Sequence, residues 1–111
     1  MRALRAEIPN ALAAHVKIAS GFDASNEDRQ GKNALELASL VKLGLTPIEA
    51  IRAATTTAAD LMAWQDSVGS IGKGKFADLV AVQGDPLADI SILQHVLVVM
   101  KGGTQVKRAT E

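Results

Sequence analysis

The chain has 111 residues, enough for one small domain or a portion of a larger one, and its 12 basic and 12 acidic side chains cancel. There is no basic surplus for nucleic acid and no polybasic run for an anionic membrane, and the absence of cysteine excludes disulfides and thiolate metal sites. No apolar run is long enough to span a bilayer, and Glu7, Pro9 and Asn10 interrupt any signal-type core, so the chain reads as soluble and by default cytoplasmic.

Apolar residues make up 48% of the chain but aromatics only 3%. Alanine, valine, leucine and isoleucine carry the hydrophobicity, which is the palette of buried parallel strands and their covering helices. For a free-standing domain of this size that is a large apolar surface to hide.

Residues 1–14 place Leu4, Ile8, Ala11 and Leu12 at helical spacing, and Pro9 breaks the middle, so a short helix or two is expected. Val16–Ser20 is apolar and rich in strand formers apart from Lys17, which predicts a strand. Gly21 permits a sharp turn at its end. Residues 24–31, ASNEDRQG, are polar without a period and predict a loop.

Lys32–Leu43 carries a broad apolar face of Ala34, Leu35, Leu37, Ala38, Leu40 and Val41, a helical pattern with Asn33 as cap and Gly44 as terminator. Thr46-Pro47-Ile48-Glu49 is the sharpest local signal. Threonine caps, proline takes the first helical position, and glutamate reaches back from the third. Leu45 and Ala50 are placed to form a hydrophobic staple. The helix is expected to reach Ala54, with Thr55 capping a second short helix over Thr57–Trp64.

Beyond Asp66 the texture changes. Residues 68–75, VGSIGKGK, lack the spacing and the strand-to-helix context of a phosphate loop and predict a turn with solvated lysines. Phe76–Val82 predicts a strand interrupted by Asp78, Ile90–Leu93 one helical turn, and Val96–Lys101 a strand. Gly102-Gly103 signals a hairpin to Thr104–Lys107. The first two thirds therefore read as strand plus helices, and the last third as a small antiparallel β unit.

Few residues could carry chemistry. Asp23 stands where a strand ends beside a glycine, a place for a metal ligand or general base; equally, it could cap the following loop. His15 lies at the opposite end of the same strand, and His95 reads as a strand-edge side chain. Two histidines without shared spacing and one aspartate do not make a zinc site, which takes three or four ligands. No serine sits in a nucleophile elbow.

The order of segments carries a resemblance. GFDAS, a loop, NALELASLVKLGLTPIEAIRAATTTAADLM, then VGSIGKGKFADLVAVQGDPLADI and VVMKGG resemble the C-terminal end of metal-dependent amidohydrolases, in the branch of imidazolonepropionase and Xaa-Pro dipeptidase (prolidase) enzymes. The resemblance runs from about Val16 to Val106. It implies an α/β fragment: residues 1–66 as the last strand and following helices of a (β/α)8 barrel, and residues 67–111 as part of a small antiparallel β-sandwich. It further implies hydrolysis of C–N bonds in a small-molecule amide, dipeptide or cyclic amide, by metal-activated water with a divalent cation, usually zinc. Asp23 matches the strand-end aspartate that serves as metal-binding carboxylate and general base.

Phe22 stands where that family carries a small hydroxyl residue, and Gln30-Gly31 where it often carries His-Gly. The remaining family ligands, an HxH pair, a bridging lysine or carboxylate and two further histidines, are expected upstream of Met1. The alternative expectation is a catalytically inactive truncated module that self-associates, as a homo-oligomer, through exposed barrel surfaces.

Overall fold

A computed structural model describes residues 2–108, with helices over the first two thirds and a three-stranded antiparallel sheet in the last third. Helix α1 (Arg2–Ala13) is continuous through Pro9. Pro9 is exposed, so the carbonyl left without a partner can be met by water and the helix need not divide into two. It closes at His15, whose φ of 55° is left-handed, with Val16 N–H donating to Ala11 O at 2.9 Å.

Val16–Ser20 is extended but joins no sheet ladder, against the strand expected there. The residues have strand character, yet among the described residues no strand lies beside them to pair with. They are anchored at Val16 by the bond to Ala11 O, by Ile18 packing on the core, and by Ser20 N–H donating to Ala53 O at 2.8 Å. Residues 21–34 follow without regular structure except a 3-10 turn at Glu27–Arg29, which Asn26 caps through its side chain.

Helix α2 (Leu35–Lys42) is shorter than its apolar pattern predicted, and Asn33 does not cap it; Ala34 holds that position without a side-chain bond. Turn bonds from Leu35 N–H to Lys32 O and from Glu36 N–H to Asn33 O tighten the entry instead. Gly44, at φ 116°, ends the helix in a conformation that glycine adopts without strain.

Helix α3 (Pro47–Ala54) begins with the expected capping box. Thr46 N–H donates to Glu49 Oε2 at 2.7 Å, and Glu49 N–H donates to Thr46 Oγ1 at 3.4 Å. The Thr46 N–H bond first, then the Thr46 hydroxyl donating to Glu49 Oε2 at 2.7 Å, hold the Glu49 carboxyl below its ordinary pKa. Leu45 and Ala50, the staple pair, are both buried in the same cluster. Helix α4 (Thr56–Leu61) is shorter than expected, and Thr55 does not cap it with its side chain. The Thr55 hydroxyl donates backward to Ile51 O at 2.7 Å, so it serves the end of α3.

The strands are β1 (Leu79–Ala81), β2 (Val98–Lys101) and β3 (Thr104–Arg108), in the order β1-β2-β3. Each of β1 and β2 starts two or more residues later than the apolar runs suggest. Asp78 lies just before β1 and ties the hairpin from the side. Its Oδ1 accepts Gly102 N–H at 2.8 Å and its Oδ2 pairs with Lys101 Nζ. The lysine bond first, then the Gly102 bond, lowers the Asp78 pKa.

The core is Leu40, Leu45, Ala50, Ala53 and Ile90, drawn from α2, the connection to α3, α3 itself and a 3-10 turn at Ile90–Gln94. Among the described residues no large side chain falls below 2% exposure. The centre is thus built on alanines that let α2 and α3 approach, and much large apolar surface stays outside it. Gly69 shows how close the approach of the glycine-rich turn is. A Cβ there would stand 2.7 Å from Ala59 Cβ and 2.9 Å from Thr55 O. Lys75 in the same turn is not a solvated lysine: its ammonium donates to Gln65 O and to Ser70 Oγ.

Candidate functional site

Asp23 is exposed and sits in the irregular segment after Gly21. The strand expected to present it is held at Ser20 by α3, three residues before the carboxylate. On the other side Phe22 is half-buried, and the Arg29 guanidinium lies over its ring at 5.1 Å from the centroid. That stacking distance is within cation–π range. It closes the loop from Phe22 to Arg29 and so flanks Asp23. The residue pattern gave no sign of this contact; the only signal was a bulky ring where the related pattern carries a small hydroxyl.

The other candidates do not join Asp23. His15 is exposed in the turn that ends α1. His95 is not at a strand edge: it closes the 3-10 turn after Gln94, with its N–H donating to Ile92 O at 3.0 Å. Among the described residues no three histidine, aspartate or glutamate side chains are grouped to hold a metal ion. Asp23 offers one carboxylate, and a divalent metal of the zinc type wants three or four donors. The described residues therefore do not fit a complete metal site. Among the described residues no helix is long and apolar enough to cross a membrane.

A concavity lies elsewhere, between the helices and the sheet, with a volume of about 860 Å3. Leu35, Leu37 and Ile51 form one wall and Val80 and Val99 the other. Val80, Val99 and Lys107 are partners in register, which puts them on one face of the sheet. Lys32, His95 and Lys107 stand around the apolar walls, and among the described residues no carboxylate lines them. Sequence periodicity did not reveal this groove, because it forms between elements far apart in the chain. Asp23 is not among its residues, so the groove and the candidate carboxylate are separate features.

In chain order the described elements are helix α1, an irregular segment that carries Asp23, helices α2 to α4, and three antiparallel strands. The chain belongs to the amidohydrolase family, whose model matches residues 2–106. It is 39% identical over 102 residues to an ochratoxinase of Aspergillus niger, covering 87% of this chain and 21% of that protein. The structure of a Xaa-Pro dipeptidase with methionine bound in its active site superposes with a TM-score of 0.86 at 40% identity, over 93% of this chain and 25% of that one. A prolidase solved with N-methylphosphonate-L-proline gives a TM-score of 0.79 at 33% identity, over 95% and 26%. The chain thus spans about a fifth to a quarter of the length of these relatives.

Proposed function

We propose that this chain is the C-terminal portion of a metal-dependent amidohydrolase of the prolidase-like branch, hydrolysing a C–N bond in a small amide, dipeptide or cyclic amide. The observation that supports it most is the match to a Xaa-Pro dipeptidase at 40% identity across 93% of the chain. On this reading residues 1–66 are the end of a (β/α)8 barrel and residues 67–111 part of a β-sandwich. Val16–Ser20 is the last barrel strand, lacking its neighbours.

Asp23 is the general base. Its carboxylate takes a proton from the attacking water as the water oxygen bonds to the amide carbon. It returns the proton to the nitrogen as the C–N bond breaks, so the carboxylate is regenerated. A divalent metal, zinc by family resemblance, acidifies such a water when bound. Asp23 is one donor toward it, and further donors must come from residues that the described part of this chain does not group with it.

A second reading has a specific observation behind it. Leu61 and Met62 are 77% and 66% exposed, and Val16–Ser20 has no ladder partner. Surfaces of that kind drive self-association, so the isolated chain is a catalytically inactive module that forms a homo-oligomer. One experiment separates the readings. The purified chain is loaded with zinc and assayed on Xaa-Pro dipeptides and N-acyl amino acids, beside Asp23→Asn. Bound zinc near one equivalent, with turnover lost in the variant, supports catalysis by this chain. An inactive, metal-free chain supports the module.

A further inference from the structure

Asp23 is exposed, so its place is set by the backbone on either side of it. Upstream the chain is fixed at Ser20, whose N–H donates to Ala53 O at 2.8 Å, and Ala53 is a buried member of the core. Between that bond and the carboxylate lies Gly21, where an added Cβ would meet nothing within 4 Å. A residue without a side chain in open space is a free joint. The upstream bond alone therefore leaves Asp23 free to swing.

The second hold lies downstream. The Arg29 guanidinium stands 5.1 Å from the centroid of the Phe22 ring, and that ring is half-buried. The contact joins the two ends of segment 22–29, with Asp23 one residue inside it. Arg29 is itself anchored, because it ends the 3-10 turn Glu27–Arg29. Its N–H donates to Asn26 Oδ1 at 3.2 Å, Gln30 N–H donates to Glu27 O at 3.1 Å, and Lys32 N–H donates to Arg29 O at 3.1 Å. Glu27 and Asp28 are close in sequence, yet among the described residues the guanidinium is in no ion pair. Its partner is the ring. A cation over a ring at an exposed site favours the closed arrangement by roughly two- to fivefold.

We propose that Arg29 is a positioning residue for Asp23: by stacking on Phe22 it closes segment 22–29 and holds the carboxylate in one place. This rests on the reading of Asp23 as general base and deepens it. A general base acts only within about 2.6–3.2 Å of the atom whose proton it takes. A displacement of about 1 Å costs on the order of a hundredfold in rate. A stack that touches no reacting atom thus sets how often the base is in place. It also gives Phe22 a role that a small hydroxyl residue cannot fill, since a hydroxyl offers no π face to a cation.

The test uses the full chain, labelled with nitrogen-15, and reads the backbone order of Asp23 by NMR relaxation. Arg29→Gln, Phe22→Leu and Phe22→Trp are compared with the parent, and far-ultraviolet circular dichroism checks that each is folded. Arg29 is exposed, so Arg29→Gln is expected to keep the fold. In the parent, the Arg29 side-chain protons are shifted upfield by the ring, and the Asp23 order parameter is near that of ordered backbone, about 0.85. In Arg29→Gln and Phe22→Leu it falls toward the flexible range, below about 0.6. Phe22→Trp keeps the parent value, because indole is the better face for a cation. Packing alone would not separate Phe22→Leu from Phe22→Trp in this way.

Unchanged order of Asp23 in Arg29→Gln overturns the proposal. So does equal order in Phe22→Leu and Phe22→Trp, or the lack of an upfield shift on Arg29 in the parent. The general-base reading fails by a different measurement: turnover by the zinc-loaded chain that survives Asp23→Asn overturns that reading, whatever the order of the segment.

Discussion

Two exposed carboxylates stand out among the single residues because each is committed to backbone and side-chain donors. Glu49 closes the α3 cap and Asp78 holds the β2–β3 hairpin. Both have pKa values lowered in the folded chain. A group with a lowered folded value adds stability above its unfolded pKa, near 4 for these side chains. That contribution disappears as pH falls through the lower folded value. Glu49→Gln and Asp78→Asn are therefore expected to unfold at lower temperature than the parent at pH 7. The gap narrows on acidification below pH about 4 and closes once the parent carboxylates are protonated. Thermal melts followed by circular dichroism across pH 2–7 check this. A gap that stayed constant with pH would show that the effect is packing and not charge. Both sites are solvent-screened, so the effect is expected to shrink in high salt.

At the scale of elements, what was legible depended on how local the cause was. The Thr46–Glu49 box was readable because cap, proline and glutamate lie within four consecutive residues and satisfy one another. The Gly102-Gly103 hairpin was readable for the same reason. Val16–Ser20 was not, because a strand is defined by a partner that local composition does not reveal. Asn33 failed as a cap because backbone turn bonds from Leu35 and Glu36 took over the entry to α2. Lys75, expected in solvent, found acceptors at Gln65 and Ser70, one of them ten residues away. The Phe22–Arg29 stack beside Asp23 and the groove were not legible, since both depend on tertiary approach. Gly69 belongs with these. Its φ of 89° and its approach to Ala59 and Thr55 O leave no room for a methyl group. Gly69→Ala is expected to destabilise the chain by at least about 1–2 kcal/mol from the left-handed backbone alone, with more from the clash. Urea titration measures it, and amide exchange should show faster opening at Ala59 and Trp64.

For the whole molecule, the small core sets the margin. Leu40 is the largest contribution from α2 to a cluster otherwise rich in alanine, and it is 5% exposed. Leu40→Ala is expected to cost about 2–5 kcal/mol, a large share of the roughly 5–15 kcal/mol typical of a folded domain. Circular dichroism at 25 °C should show the variant substantially unfolded, whereas Trp64→Ala, outside the core, should not be. This contrast follows from the layout: the apolar residues of this chain divide between a thin centre and a wide exterior. The chain spans a quarter of the length of the Xaa-Pro dipeptidase it resembles.

The bond from Ser20 N–H to Ala53 O has a consequence for engineering. It and the start of α2 clamp both ends of the 21–34 segment, so the span between them need only be long enough to connect. Chain closure between fixed ends grows slowly with length, by roughly 0.6 kcal/mol per doubling. A flexible Gly-Ser insert between Gln30 and Gly31, both exposed, should therefore leave the melting temperature nearly unchanged. The same insert between Ala19 and Ser20 would move the tether out of register with α3. The stretch beyond the carboxylate is thus the place to attach a label, a spacer or a second protein.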